Sequence, residues 1–391
     1  MVTIQDTLVL DPTQRITIRK RPDLTARQQT YLGKSYWVIK EPIGQNYFRF
    51  QDEEYQLFQK IDGNTSLAEL KKWFVATFPP QKITLRELQQ FICMLYKSGL
   101  VIGDAPGEEE RLRKQYAEQK EKKRRARTNV LHFRFNCFDP DRFLNWLHPK
   151  IRWLLSMPAF LFSILLVLSA LTLVAVKFDV FYSNLPGFHS FFSLTNGFWL
   201  LVILFLVRVL HELGHELMCK HFGCECHEMG VIFQVFVPCF YSDLSDSWML
   251  ANKWKRAAIG AGGMYIDVIL AAIATFIWWF TLPAPGMLNM ICLNVIIVLS
   301  VSIIMFNANP LLCYDGYHIL SDLVEIPNLR QKANSVLRRK MSQRFFGIKP
   351  PVDPFLPQQK QIFLAMYSVA SGIYRCIALF LGLWLMHQIW K

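Results

Sequence analysis

The first fourteen residues, MVTIQDTLVLDPTQ, lack a basic stretch followed by an apolar run, so no cleavable signal peptide is expected. The nine cysteines lack the paired spacing of a secreted disulfide framework. Several fall inside apolar segments, where they read as reduced, buried thiols. Charge is sparse: only 19% of residues are charged, against 52% hydrophobic, with 31 Phe and 11 Trp. That balance excludes an average soluble domain. Lys and Arg are missing altogether from two stretches, Phe178–Gly197 and Thr281–Gly286, although the chain carries 43 basic against 30 acidic residues, a net charge of +13. No helical pattern near the N-terminus carries a clustered Arg/Lys face, which argues against a DNA-recognition helix there.

The places where basic residues do occur explain the net charge. Five apolar runs are long enough to cross a bilayer: Pro158–Val176, Phe198–Leu210 with its continuation, Ala257–Phe280, Met287–Met305 and Gln361–Met386. Arg124, Arg125 and Arg127 precede the first of them. Lys253, Lys255 and Arg256 precede the third, and Arg338, Arg339, Lys340 and Arg344 lie between the fourth and fifth. The loops without Lys or Arg face the other way. The positive-inside rule then puts the N-terminus in the cytoplasm and the C-terminus outside, with the lipid bilayer as the partner of the basic excess and no nucleic acid expected.

The expected fold class is a polytopic α-helical membrane protein of about five spans, with a small cytoplasmic α+β winged-helix-like domain. Residues 1–105 form that domain, 106–150 a charged linker and interfacial helix, and 151–391 the membrane domain. In the first, Tyr36–Lys40 and Asn46–Phe50 read as strands around a Pro42/Gly44 turn. Asp52 is placed to cap a first helix. Ser66 with Glu69 and Thr84 with Glu87 have capping-box spacing ahead of two more. Ser98-Gly99 closes the last helix, and Leu100–Ile102 can add a strand. Gly107–Arg127 is a charged helix or linker, and Phe138–Trp153 mixes aromatic and basic residues as an interfacial segment does.

The second apolar run continues without interruption into HELGH. His211 and His215 are four apart, so on a helix both imidazoles face one metal ion, with Glu212 beside its open position. Ionisable groups at the end of a lipid-facing helix are costly, which marks them as functional. The fourth run ends on the same, cytoplasmic side at Asn309-Pro310, just before Asp315 in LLCYDGYH. Two histidines, one carboxylate and water make a catalytic zinc set, one Zn²⁺ per chain, whereas a structural site prefers four protein ligands. Glu212 is then placed to take a proton from water. Glu216, Asn307 and Asn309 are polar residues able to line a water path.

Several neighbours stay open at this stage. His318 stands one turn after Asp315 and is an alternative third ligand. Cys224, Cys226 and His227 form a C-x-C-H cluster that reads as structural for want of a matching partner. Asp267, beyond Gly260, Gly262 and Gly263, either tunes the site or binds a polar group of a neighbouring helix. Arg208 either snorkels or pairs with Glu212 or Glu216. Met229–Tyr241, rich in Val and Phe, contains Pro238 and is too short to span as a helix. It is expected to form a re-entrant β-hairpin or strand, or a buried connecting loop.

HELGH followed by NPLLCYDG (Asn309–Gly316) resembles the site-2 protease family of intramembrane zinc metalloproteases. The resemblance implies that His211, His215 and Asp315 bind zinc, that Glu212 is the general base, and that Asn309 holds or polarises the substrate carbonyl. YWVIKEP…YFRFQDEEYQLFQKIDGNTSLAEL…LQQFICMLYKSGLV, about Thr30–Ile102, resembles PqqD-like domains, which recognise leader peptides by β-augmentation. The combination resembles the peptide zinc metalloprotease subgroup. That implies a peptide or protein substrate, membrane-associated or exported, possible export machinery, a bacterial inner membrane, and a further outside region beyond the last span that this sequence does not contain. Two other readings stand beside it: a non-hydrolysing peptide-binding or export subunit with a structural zinc, and a membrane-bound regulator with a DNA-binding winged helix.

Overall fold

The computed structural model describes residues 15–31, 34–103, 107–126, 128–129, 132–234, 237–347 and 360–389. By internal packing the chain divides into two units. One comprises Met1–Arg134 with Phe233–Val237 and Trp248–Ala251; the other comprises Phe135–Ile232, Pro238–Ser247 and Asn252–Lys391. Residues 107–126 therefore pack with the first unit.

The first unit begins with β1 (Ile18–Lys20), β2 (Thr25–Tyr31), β3 (Lys34–Glu41) and β4 (Asn46–Gln51). Strands β2, β3 and β4 form an antiparallel sheet in that order. Chain sequence alone suggests β3 and β4. It hides β2, whose TARQQTY is polar and largely exposed and so carries no apolar alternation. Helices α1 (Asp52–Gln59), α2 (Leu67–Thr77) and α3 (Leu85–Lys97) follow, then β5 (Val101–Gly103), which pairs antiparallel with β1 rather than with the sheet. The caps of α2 and α3 form as the spacing predicts. Ser66 Oγ and Thr84 Oγ1 accept from the amides of Glu69 and Glu87, whose carboxylates return to the Ser66 and Thr84 amides at 2.9 and 2.8 Å. Asp52 does not cap α1. Strand β4 runs straight into the helix, so Gln51 is the capping position, and Asp52 accepts from Trp37 Nε1 at 2.9 Å instead.

Ile39, Leu57, Leu67, Leu70, Leu88, Ile92 and Leu95 fill the core between sheet and helices. Helix α4 (Glu108–Ala126) is tied to this unit through Tyr116, whose hydroxyl donates to Glu41 Oε1 at 2.8 Å. Arg21 lies between them. It donates to Gly99 O at 2.9 Å, pairs with Glu41 at 3.3 Å and contacts Asp23 and Tyr116. Strand β6 (Thr128–Asn129) pairs with the start of β7 (His132–Phe138).

The second unit is helical. Helix α5 (Asp141–Ile151) and a 3₁₀ turn lead into α6 (Met157–Val176). The short α7 (Phe178–Ser183) and α8 (Phe188–Phe191) lead into α9 (Leu194–His221). Strands β8 (Met229–Gln234) and β9 (Val237–Ser242) follow β7 as successive neighbours in a sheet. Then come α10 (Lys253–Thr281), α11 (Met287–Val301), a π-helical turn (Ser302–Asn307), α12 (Asp315–Val324), α13 (Leu329–Phe346) and α14 (Lys360–Ile389). Among the described residues, five helical segments are long and apolar enough to cross a membrane: α6, α9, α10, α11 with the π turn, and α14. Their large outward side chains are apolar, as with Leu165 at 65% and Leu383 at 70% exposure.

Helices α9 and α10 touch backbone to backbone. A Cβ added at Gly214 would lie 2.5 Å from Gly262 O, and one at Gly262 would lie 2.6 Å from Gly214 O. Only glycine at both positions permits that approach. It presses the HELGH turn directly onto α10.

Candidate metal centre

Helix α9 carries His211 and His215 on the face turned to α10, and both are buried, at 2% and 4% exposure. Each imidazole spends its Nδ1 on α10. His211 Nδ1 donates to Asp267 Oδ2 at 2.8 Å, and His215 Nδ1 donates to Ile259 O at 2.8 Å. A carbonyl only accepts, so the hydrogen of His215 is on Nδ1 and its Nε2 lone pair is left for another partner. Gly263 lies against the Nε2 edges of both rings. A Cβ there would meet His215 Nε2 at 2.5 Å and His211 Nε2 at 2.6 Å.

Asp315 arrives from the opposite side at the first residue of α12. The DG pair of NPLLCYDG explains its position. A Cβ on Gly316 would sit 2.7 Å from Ala308 O and 2.9 Å from Asn307 O, so the bare glycine lets α12 start against the end of the π turn. The hydroxyls of α14 hold the intervening turn. Tyr367 donates to Pro310 O and Ser371 to Leu311 O, each at 2.8 Å, and Tyr374 donates to Met305 O at 2.9 Å. These three follow i, i+4, i+7 spacing and so share one face of a mostly apolar helix, a pattern readable in the sequence.

The result is a tight donor set. His211 Nε2 and His215 Nε2 are 3.2 Å apart, and Asp315 Oδ2 is 3.0 Å from the first and 3.4 Å from the second. These three residues form a group able to hold a metal ion, no ion being part of the structure. Nitrogen and oxygen donors around a tetrahedral zinc lie about 3.3–3.6 Å apart, from bond lengths of about 2.0–2.2 Å. The observed 3.0–3.4 Å reach the lower part of that range, so the donors would spread by a few tenths of an ångström around the ion, and the donor chemistry of two imidazoles and a carboxylate fits zinc. Asp315 Oδ2 is buried and meets no hydrogen-bond donor among the described residues, which leaves it, like the Nε2 lone pairs, available to a metal ion. A side-chain exposure of 21% leaves this face of the set open.

Glu212 lies beside the two histidines, and its Oε2 accepts from Ser242 Oγ of β9 at 3.0 Å. Glu216 is fully buried, and neither carboxylate oxygen meets a hydrogen-bonding partner among the described residues. Asn309 is half-buried and its Oδ1 accepts from Leu311 N at 2.9 Å, so its side chain shapes the turn that precedes Asp315. Asn307 is buried, at 3.5 Å from Ser302 Oγ.

The neighbours left open by the sequence are placed as follows. Asp267 binds His211 across 56 residues of sequence. His318 lies outside the donor set, which is closed by Asp315. Arg208 donates to Ser302 Oγ at 3.3 Å and not to Glu212 or Glu216, because it points to the π turn rather than along its own helix. Cys224 and Cys226 are buried and meet a third thiol, Cys219, that the C-x-C-H reading missed. His227 points away, towards Asp139 and Glu225 at 3.5 Å. Of Met229–Tyr241, the described residues form β8 and β9; residues 235–236 lie outside them. Sequence reasoning also missed Ser242, Ile259 O and Gly263, none of which belongs to a ligand motif.

The chain is 29% identical over 125 residues to "Putative peptide zinc metalloprotease protein YydH" of Bacillus subtilis (strain 168). The match covers 31% of this chain and 47% of that protein, so the chain spans about half the length of the relative it matches. No family model matches the chain. No solved structure matches it either.

Proposed function

We propose that this chain is a membrane-embedded zinc metallopeptidase of the site-2 protease type, hydrolysing a peptide bond of a membrane-associated or exported peptide. The observation that carries the reading is the meeting of His211 Nε2, His215 Nε2 and Asp315 Oδ2 within 3.4 Å of one another, beside a glutamate and with one face open. Zinc, when bound there, supplies the Lewis acidity that acidifies water and polarises a scissile carbonyl. Glu212 takes the water proton and returns it to the leaving amine. Ser242 fixes that carboxylate through one oxygen and leaves the other for the proton. Strand β9, which ends at Ser242, stands next to the site and offers an edge on which a substrate can be held extended.

The basic residues before α6, in the first turn of α10 and in α13 orient the N-terminal unit and the metal-binding ends of α9 and α12 to the cytoplasm. In this reading the β2–β3–β4 sheet is the leader-binding element, which takes an extended peptide on an edge in the PqqD-like manner. A non-hydrolysing subunit would have no use for Glu212. The test is cleavage in reconstituted vesicles of candidate leader-bearing peptides encoded near the gene. Wild-type protein cleaves and Glu212→Gln does not, while both retain zinc. Equal processing by the two proteins would exclude Glu212 as the base.

A further inference from the structure

Helix α10 contributes no member of the donor set, yet it supplies the acceptor of each histidine's Nδ1 and the glycine against both rings. Ile259, Gly263 and Asp267 recur every fourth residue and so share one helix face. From N- to C-terminus along that face stand a carbonyl on His215 Nδ1, a bare backbone under both rings, and a carboxylate on His211 Nδ1. Asp267 is 1% exposed and His211 is 2% exposed, so water does not compete for this contact. A carboxylate buried at mid-helix is costly unless it is paired, and the histidine is the partner that the described residues give Asp267.

We infer that Asp267 is a positioning residue for the metal centre: it fixes His211 with its proton on Nδ1 and its Nε2 lone pair aimed at the metal, and makes that nitrogen the stronger donor of the two. The inference rests on the zinc reading of His211, His215 and Asp315. Its physical basis is that a ligating imidazole gains basicity and a fixed orientation from an anionic acceptor on its other nitrogen. His215, held by a neutral carbonyl, gains orientation without the charge. The two ligands are therefore unequal, and α10 supplies both of the acceptors that make them so.

Zinc affinity of the full-length protein in detergent, read by competition with a chromophoric chelator, tests this with Asp267→Asn and Asp267→Leu. Asparagine still accepts from Nδ1–H but lacks the charge; leucine does neither. The expected order is wild type, then Asn, then Leu, with Asn weaker than wild type by about 10- to 100-fold. The visible spectrum of the cobalt-loaded protein should shift in the Asn variant, a change that a purely structural role for Asp267 would not produce. Asn is nearly isosteric with Asp, so it reports even if the Leu variant fails to fold. Wild-type affinity and an unchanged cobalt spectrum in Asp267→Asn would overturn the inference while leaving the zinc reading standing. Wild-type protein that binds no zinc would overturn both.

Discussion

Gly263→Ala is the substitution whose outcome the geometry fixes most closely. The added methyl would stand 2.5 Å from His215 Nε2, 2.6 Å from His211 Nε2 and 2.7 Å from His211 Cε1, where ordinary contact begins at 3.4 Å. The rings must retreat by about 1 Å, and neither has room to do so freely. Each is anchored on its far nitrogen to α10, and the Gly214–Gly262 contact already holds α9 at its closest approach. Overpacking of this kind costs about 1–3 kcal/mol. The functional loss is of similar size: a displacement of about 1 Å at a reacting centre costs on the order of 100-fold in rate, about 2.7 kcal/mol. Zinc per chain, measured by elemental mass spectrometry on detergent-purified protein, should fall well below one. Gly372→Ala, where nothing lies within 4 Å of the new methyl, is the matched control and should retain zinc. Full zinc occupancy in Gly263→Ala, with the control unchanged, would refute the argument that the glycine makes room for the histidines.

Other expectations follow from the same contacts. Ser66→Ala and Thr84→Ala each remove a capping oxygen and should destabilise the N-terminal unit by about 1 kcal/mol, seen as faster amide exchange in α2 and α3 respectively. Tyr367→Phe removes the donor to Pro310 O and should lower metal occupancy through the Asp315 turn without altering the helical content measured by circular dichroism. The Asp23 carboxyl is held below its ordinary range, chiefly by its hydrogen bond from Arg21 and against the cost of burial. A folded pKa below the unfolded one adds stability above the unfolded value, which is lost as pH falls through the folded one. Asp23→Asn should therefore flatten the acid side of the amide-protection profile of β2–β4; an unchanged profile would exclude Asp23 as its source.

Much of this arrangement was legible in the sequence because its signals are local. The S-x-x-E spacing at Ser66 and the T-x-x-E spacing at Thr84 foretold two capped helices, and the apolar runs foretold the five segments among the described residues able to span a membrane. The four-residue spacing of His211 and His215 placed both rings on one helix face, as observed. What escaped was non-local or polar. Strand β2 has no apolar face to advertise it, and Tyr116 reaches Glu41 across 75 residues. Nothing near Asp267 tells that its partner is His211 rather than some other polar group of an adjacent helix. It depends on how α9 packs against α10, where Gly214 and Gly262 meet backbone to backbone. Arg208 misled for the same reason: its neighbours along α9 are carboxylates, but the π turn at Ser302 brings a hydroxyl closer.

The most direct test of the metal centre is the zinc content of detergent-purified wild-type protein beside His211→Ala and Asp315→Ala. The account predicts one zinc per wild-type chain and loss of it in both variants, since each removes one of the three donors that meet within 3.4 Å. A wild-type protein without zinc, or a zinc that survives Asp315→Ala, would contradict it.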